Sequence, residues 1–475
     1  MPKTLARIYA EFAADVAAQD IPAEVRRAAY LHVVDTIGVC IAGAAPNEES
    51  GQAARKLAAK WKAADGTTIF GLGTRCRSDM AALINGALAQ ALEMDDKHGS
   101  SLARPGSTVV PAALAVAEED GRPIAELVTA VTVGYEVMIR LGFVAGERFL
   151  ERGYHTSSLL GAFGTVATIG RLSGSTTDEI VSALGIAGTM ASGIQESTRT
   201  GSTSKILHGG WGAHSGIVAV DLATAGITGP ESVFEGVMGF FQTHLTPIDG
   251  ELDWNRPSEG LGSRWYLPDT AFKPYPCCQL LHAFIEAGKQ ILVEMSRDRV
   301  DVGDITAIHC KLAEPGLTLV IEPRERKKAP QLRHEARFSL PFVVASTMIH
   351  GDIGLESFSD ARLADTGIRK LAAKVTAEED LDSDYPAHCP ARMTVEAGGR
   401  SYDKHIPFHP GSPEAALSDG DVLDKFARNT KWLFGEGAQD TGTALLAIAE
   451  AQKLSAITAE IQRRAKTPVV EHAEP

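Results

Sequence analysis

Residues 156–170 read TSSLLGAFGTVATIG. The run is apolar almost all the way round a helix, with no face to give to water. A helix of that kind lies inside a large domain, and its glycines and alanines let neighbours approach closely. It is too short, and too rich in Ser and Thr, to span a membrane. Working outward, comparable helical runs cover about 49–64, 77–95, 109–119, 123–144, 177–194 and 205–226. Residues 22–43, PAEVRRAAYLHVVDTIGVCIAG, place Val25, Ala28, Ala29, Leu31, Val33 and Ile37 at near-helical spacing. Pro22 precedes them, where a missing N–H costs nothing. Gly121-Arg122-Pro123 and Gly229-Pro230 punctuate the runs. Residues 4–265 are therefore expected to be mostly helical.

The pattern changes near residue 265. DITAIHCKLA (304–313) has the alternation of a strand, and LTLVIE (317–322) reads likewise. ARMTVEAGGRSYDKHIP (391–407) reads as a hairpin turning at Gly398-Gly399. Helical segments at about 279–296, 338–350 and 359–373 lie between the strands, and 413–462 returns to helix. The expected fold is mainly α with α+β. A large all-helical domain comprises 1–265 with 413–475, and a smaller α+β domain comprises 266–412. The end, TPVVEHAEP (467–475), is expected to fray.

Composition narrows the function. The chain has 475 residues, 44% of them hydrophobic and 22% charged, so a packed core is expected. Its net charge of −14, from 60 acidic against 46 basic residues, disfavours nucleic acid or an anionic membrane as partner. Six cysteines with no C-x-x-C pair suggest neither a disulfide framework nor a structural zinc site. The first residues, MPKTLARIYAEFAADVAAQD, show no signal-peptide pattern. The apolar stretches read as broken by charge before membrane-spanning length. A cytoplasmic protein is the expectation.

Five clusters could carry chemistry. Glu93-Met94-Asp95-Asp96-Lys97-His98, with Arg104-Pro105-Gly106-Ser107 after it, falls at the end of a helix. Helical spacing would put Glu93 and Lys97 on one face; such a cluster suits acid–base work if buried and is a plain salt bridge if solvated. Gly153-Tyr154-His155-Thr156-Ser157-Ser158 stands at a loop-to-helix junction. His155 there is a candidate acid or base, with Thr156 or Ser157 as a simple N-cap the alternative. Gly201-Ser202-Thr203-Ser204-Lys205, followed by Ile206-Leu207-His208, fails the phosphate-loop pattern yet offers a lysine and a histidine to a carboxylate. Lys273-Pro274-Tyr275-Pro276-Cys277-Cys278 could present a helix-start thiol of lowered pKa or a buried structural one. Glu322-Pro323-Arg324-Glu325-Arg326-Lys327-Lys328 is either a solvated charge run or the basic rim of an anion pocket.

Taken in order, these segments closely resemble the MmgE/PrpD family, which includes 2-methylcitrate dehydratase, cis-aconitate decarboxylase and iminodisuccinate epimerase. The stretches that carry the likeness run over roughly residues 5–440. They are Asp35-Thr36-Ile37-Gly38, Asn85-Gly86-Ala87, Glu93–His98, Pro105-Gly106-Ser107, GYHTSSLLGAFG (153–164), SKILHGGWGAHSG (204–216), KPYPCC (273–278) and EARFSLPF (335–342). The resemblance implies a helical domain with a smaller α+β lid, a site between them and a homodimer. It also implies that neither a metal nor an organic cofactor is used. The family's Asp-x-Asp-Asp-Thr resembles Glu93-Met94-Asp95-Asp96-Lys97, and its His-Pro-Ser corresponds to Arg104-Pro105-Gly106. The family histidine matches His155, and the lysine before Pro-Leu-His matches Lys205, with His208 three residues on. The lysine opening the lid matches Lys273. Arg324 stands where family decarboxylases carry a tyrosine.

The chemistry so implied begins with a proton on carbon next to a carboxylate of a small di- or tricarboxylic acid. His155, Lys205, Asp95, Asp96 and Glu93 become the expected catalytic residues. Lys97, Arg104, His208, Lys273 and Arg324 become the expected substrate contacts, cations suited to clamp carboxylates. The resemblance points first to a 2-methylcitrate dehydratase-like hydro-lyase. An epimerase or isomerase, a cis-aconitate-type decarboxylase, an inactive carboxylate-binding homologue and a thiol enzyme using Cys277 or Cys278 are the alternatives.

Overall fold

The computed structural model describes residues 3–200, 202–248 and 250–465. The expected frayed end and Gly201 lie outside the described residues. The chain divides into two compact units. The first takes the residues up to Ala91, then Asp95–Thr270, then those from Ser418 on; the second takes Leu92–Met94 and Ala271–Leu417.

The first unit is built from helices that are buried on most sides. Ala23–Gly43 has water on only a few residues of its first turns. Thr156–Ser173 packs against Ile124–Ala145 and Leu207–Thr224, and the last also packs against Ser78–Gln90. Small residues make that possible. A Cβ added at Gly210 would sit 2.0 Å from the Leu83 carbonyl oxygen, so only glycine lets these two helix backbones come together. Ile124–Ala145 is long and apolar enough to cross a membrane, contrary to the expectation that charge interrupts every such stretch. It is instead a core helix, buried throughout apart from Ala125 and Glu126 in its first turn. Its two central charges, Glu136 and Arg140, pair at 3.1 Å, and Arg140 also donates to the Glu259 and Arg264 carbonyls.

This unit is not all helix. The helix expected over 49–64 stops at Lys60, and Lys62–Thr68 pairs antiparallel with Arg75–Cys76. Tertiary partners override the local helical pattern there: the Glu118 carboxylate accepts from the Thr68 N–H and hydroxyl, and Asn85 donates to the Thr68 carbonyl.

The second unit holds a four-stranded sheet in the order Val375–Glu379, Ile305–Leu312, Ala391–Ala397, Arg400–Ile406. The first pair is parallel and the others antiparallel. The hairpin turns at Gly398-Gly399, both at positive φ, the pairing that a two-residue turn favours. Helices His282–Asp298 and Leu340–His350 pack with this sheet's apolar residues. One expected strand is absent: Leu317–Ile321 is a wide helical turn, closed by Glu322 N–H to the Leu317 carbonyl at 3.1 Å. Val320 and Ile321 are buried in the core, and a short buried apolar run reads the same in either conformation. The strand Val375–Glu379 was too polar in sequence to be read as one.

Candidate functional site

The Ser78–Gln90 helix ends five residues before Asp95 could join it. Glu93 takes a left-handed φ of 56°, and Lys97-His98 is a short strand. The expected helical face shared by Glu93 and Lys97 therefore does not exist. Glu93 belongs to the second unit and Lys97 to the first.

The two aspartates that follow are placed differently. Asp96 is fully buried and surrounded by donors. His32 Nδ1 lies 2.9 Å away, the Tyr135 hydroxyl donates at 2.6 Å and the Gly106 N–H donates at 2.8 Å. Burial alone would raise its pKa, but these partners hold it below the usual carboxylate range. Burial and the Asp96 charge push the Tyr135 phenol well up, so it stays a donor. Glycine is required at 106, since a Cβ there would sit 2.8 Å from the Asp96 carboxyl carbon. One helical turn from His32, Asp35 pairs with the wholly buried Lys425 at 2.8 Å. Burial raises the Asp35 pKa, with Lys425 acting against it.

Asp95 is buried too. Its Oδ2 is 3.4 Å from Gln90 Nε2 and 3.4 Å from the Ser107 hydroxyl. Gln90 also donates to the Ser157 hydroxyl at 3.1 Å and accepts the Gly209 N–H at 2.9 Å. These bonds lead to the two histidines. His155 immediately precedes Thr156–Ser173, and its N–H is held by the Gly193 carbonyl at 3.0 Å. His208 sits in the first turn of Leu207–Thr224. Their Nδ1 atoms are 3.1 Å apart. Neither Thr156 nor Ser157 caps the helix; Thr156 donates to the Leu102 carbonyl instead. Burial, with the Lys205 charge added, lowers the His208 pKa to about 4, so this ring is neutral at neutral pH. A neutral imidazole carries its proton on one nitrogen only. The Nδ1–Nδ1 bond thus needs one ring to donate from Nδ1 and the other to accept there. Lys205 is itself buried, in the turn Thr203–Ile206 before the His208 helix. Lys97 is buried and Arg104 half-buried in the same unit.

The remaining expected residues lie in the second unit. Lys273 is wholly buried. Burial drives the Cys277 thiol well above its ordinary pKa, Cys278 and Glu93 adding to the effect and Lys273 and Arg337 opposing it. The helix-start thiol of lowered pKa is thereby overturned for Cys277, since a thiol that stays protonated is a poor nucleophile. Arg324 faces water, its side chain 62% exposed and paired with Glu322 at 3.0 Å. From the same charge run it is Lys327 that turns inward, donating to the Leu319 and Phe338 carbonyls. Burial lowers its pKa to about 8.

The structure thus groups Asp95, His155 and His208 around Gln90, with Lys205 beside His208, and sets Asp96 in a separate network. Sequence reading missed Gln90, His32, Tyr135 and Lys425. One signal was available: His32 and Asp35, three apart within an apolar helix, must find buried partners. Nothing local marks Tyr135 or Lys425 as those partners.

Two family models and several characterised proteins match this chain. The MmgE/PrpD N-terminal domain model matches residues 7–252 and the MmgE/PrpD C-terminal domain model matches 275–450. A cis-aconitate decarboxylase-like protein of Aspergillus oryzae is 26% identical over 86% of this chain and 87% of its own length. Cis-aconitate decarboxylase of Aspergillus terreus is 29% identical over 80% of this chain and 79% of its own. The Homo sapiens cis-aconitate decarboxylase is 26% identical over 74% and 72%.

Proposed function

The chain belongs to the MmgE/PrpD family, and on that premise we propose that it is a lyase. It moves a proton at a carbon next to a carboxylate of a small di- or tricarboxylic acid. The observation that carries this reading is the His155–His208 contact at 3.1 Å, with His208 held neutral beside Lys205. Two imidazoles joined Nδ1 to Nδ1 make one ring the donor and the other the acceptor, and with His208 neutral the pair can supply the base and the N–H acid that general acid–base catalysis needs. Taking a proton from carbon leaves enolate-like charge, and Lys205 supplies a buried cation against it.

Two outcomes can use that acid–base pair and cation. Loss of CO₂ leaves a carbanion that must take a proton from an acid. Loss of water needs a base at carbon and an acid at the departing hydroxyl, and both rings are then used. The relatives' names favour decarboxylation of a cis-aconitate-type acid. The paired imidazoles favour dehydration of a hydroxy acid such as 2-methylcitrate. Proton NMR of the purified protein with cis-aconitate, citrate, 2-methylcitrate and iminodisuccinate separates them by product. A product one carboxyl shorter supports the first, and an alkene that keeps every carboxyl supports the second. Failure to alter any of these acids would overturn the proposal.

A further inference from the structure

Gln90 is the last residue of its helix and is fully buried. Its amide orientation is set by its partners: the Gly209 N–H can donate only to Oε1, so Nε2 must face Asp95 and Ser157. Gly209 follows His208, and Ser157 lies two residues after His155. One side chain therefore ties the helix that leads to Asp95 to both helix starts that bear the imidazoles.

We propose that Gln90 is a positioning residue for the reaction, fixing Asp95 relative to the His155–His208 pair through its amide. It acts through those groups and needs no contact with substrate. The inference deepens the proposed function and depends on it for its kinetic readout alone. A buried amide with all three partners engaged has little freedom to rotate, so it sets where the carboxylate and the two rings stand. Misplacing a catalytic group by about 1 Å costs about a hundredfold in rate.

The test uses the full chain and two variants. Gln90→Glu keeps an acceptor for Gly209 but puts a carboxylate oxygen where Nε2 faced Asp95. Two carboxylates that close share a proton, so a limb of the pH–rate profile moves up by about one unit or more. Gln90→Met removes all three bonds and adds no titrating group. It is expected to lower kcat by about a hundredfold, with KM unchanged and the pH profile in place. The probe for both is solvent-deuterium incorporation into whichever of cis-aconitate, citrate, 2-methylcitrate and iminodisuccinate the wild type alters. The second measurement needs no turnover: the imidazole ¹⁵N signals of His155 and His208, assigned through His155→Gln and His208→Gln. Both signals are expected to move in each variant that folds. A merely structural Gln90 would lower Tm and leave the pH profile and KM-to-kcat balance of the folded fraction alone. That result, or unchanged imidazole signals, overturns the proposal. A wild-type protein that exchanges nothing defeats the functional reading, while the imidazole signals still decide the role of Gln90.

Discussion

Asp95 and Asp96 are adjacent in the chain and differ in almost every physical respect. Asp96 takes three close donors at 2.6–2.9 Å, and its charged form is favoured despite full burial. Asp95 takes contacts at 3.4 Å from two neutral donors, Gln90 and Ser107, and Gln90 also holds the two helix starts bearing His155 and His208. A saturated carboxylate is poorly placed to exchange protons, because each donor that stabilises the anion opposes its protonation. On the proposed function we assign Asp96, with His32, Tyr135, Asp35 and Lys425, to holding the unit together, and Asp95, tied through Gln90 to the imidazole pair, to the chemistry.

That division can be attacked from either side. The largest expected effect is on rate: His155→Ala should slow proton exchange by about 10²–10⁴-fold, the usual contribution of a positioned acid or base. Its melting temperature should stay close to that of the wild type. Next is the network around Asp96. Lys425→Met leaves Asp35 buried without its cation, which should cost about 3–5 kcal/mol in urea unfolding. Tyr135→Phe removes one hydrogen bond to a charged group and should cost about 1.5–3 kcal/mol. Activity lost in Tyr135→Phe without loss of stability would move Asp96 from the scaffold to the chemistry.

Stability should also depend on pH. Burial lowers His98 to about 3, with Arg256 and Lys97 adding to it, and lowers His208 to about 4. Below pH 6.5 the unfolded chain binds protons that the folded rings refuse. Stability should therefore fall as pH drops from about 6.5 toward 4, by about 1.4 kcal/mol per unit for each ring. His98→Asn should flatten that slope by one ring's share, and equal slopes in variant and wild type would refute the assignment.

How much of this was readable in advance follows from how local each feature is. The run at 156–170 and the hairpin at 391–407 carry their structure in their own periodicity and turn residues. LTLVIE does not, because burial rather than alternation decides its conformation. The segment after Gln90 was misread for the opposite reason. ALINGALAQALEM keeps a helical pattern past the residue where the helix ends, and the partners that fix Asp96 come from residues 32, 106 and 135. His155, Lys205 and His208 were legible by residue type and by resemblance to the family. Their pairing was not, since it joins positions 53 apart in the chain.

The central claim is that the His155–His208 pair moves a proton at carbon. Solvent-deuterium incorporation into the acids of the substrate panel, wild type against His155→Ala and Lys205→Ala, tests it most directly. The account predicts incorporation by the wild type into at least one acid, reduced about a hundredfold or more in both variants, with each variant still folded. Incorporation at the wild-type rate in both variants, or none by the wild type, would contradict it.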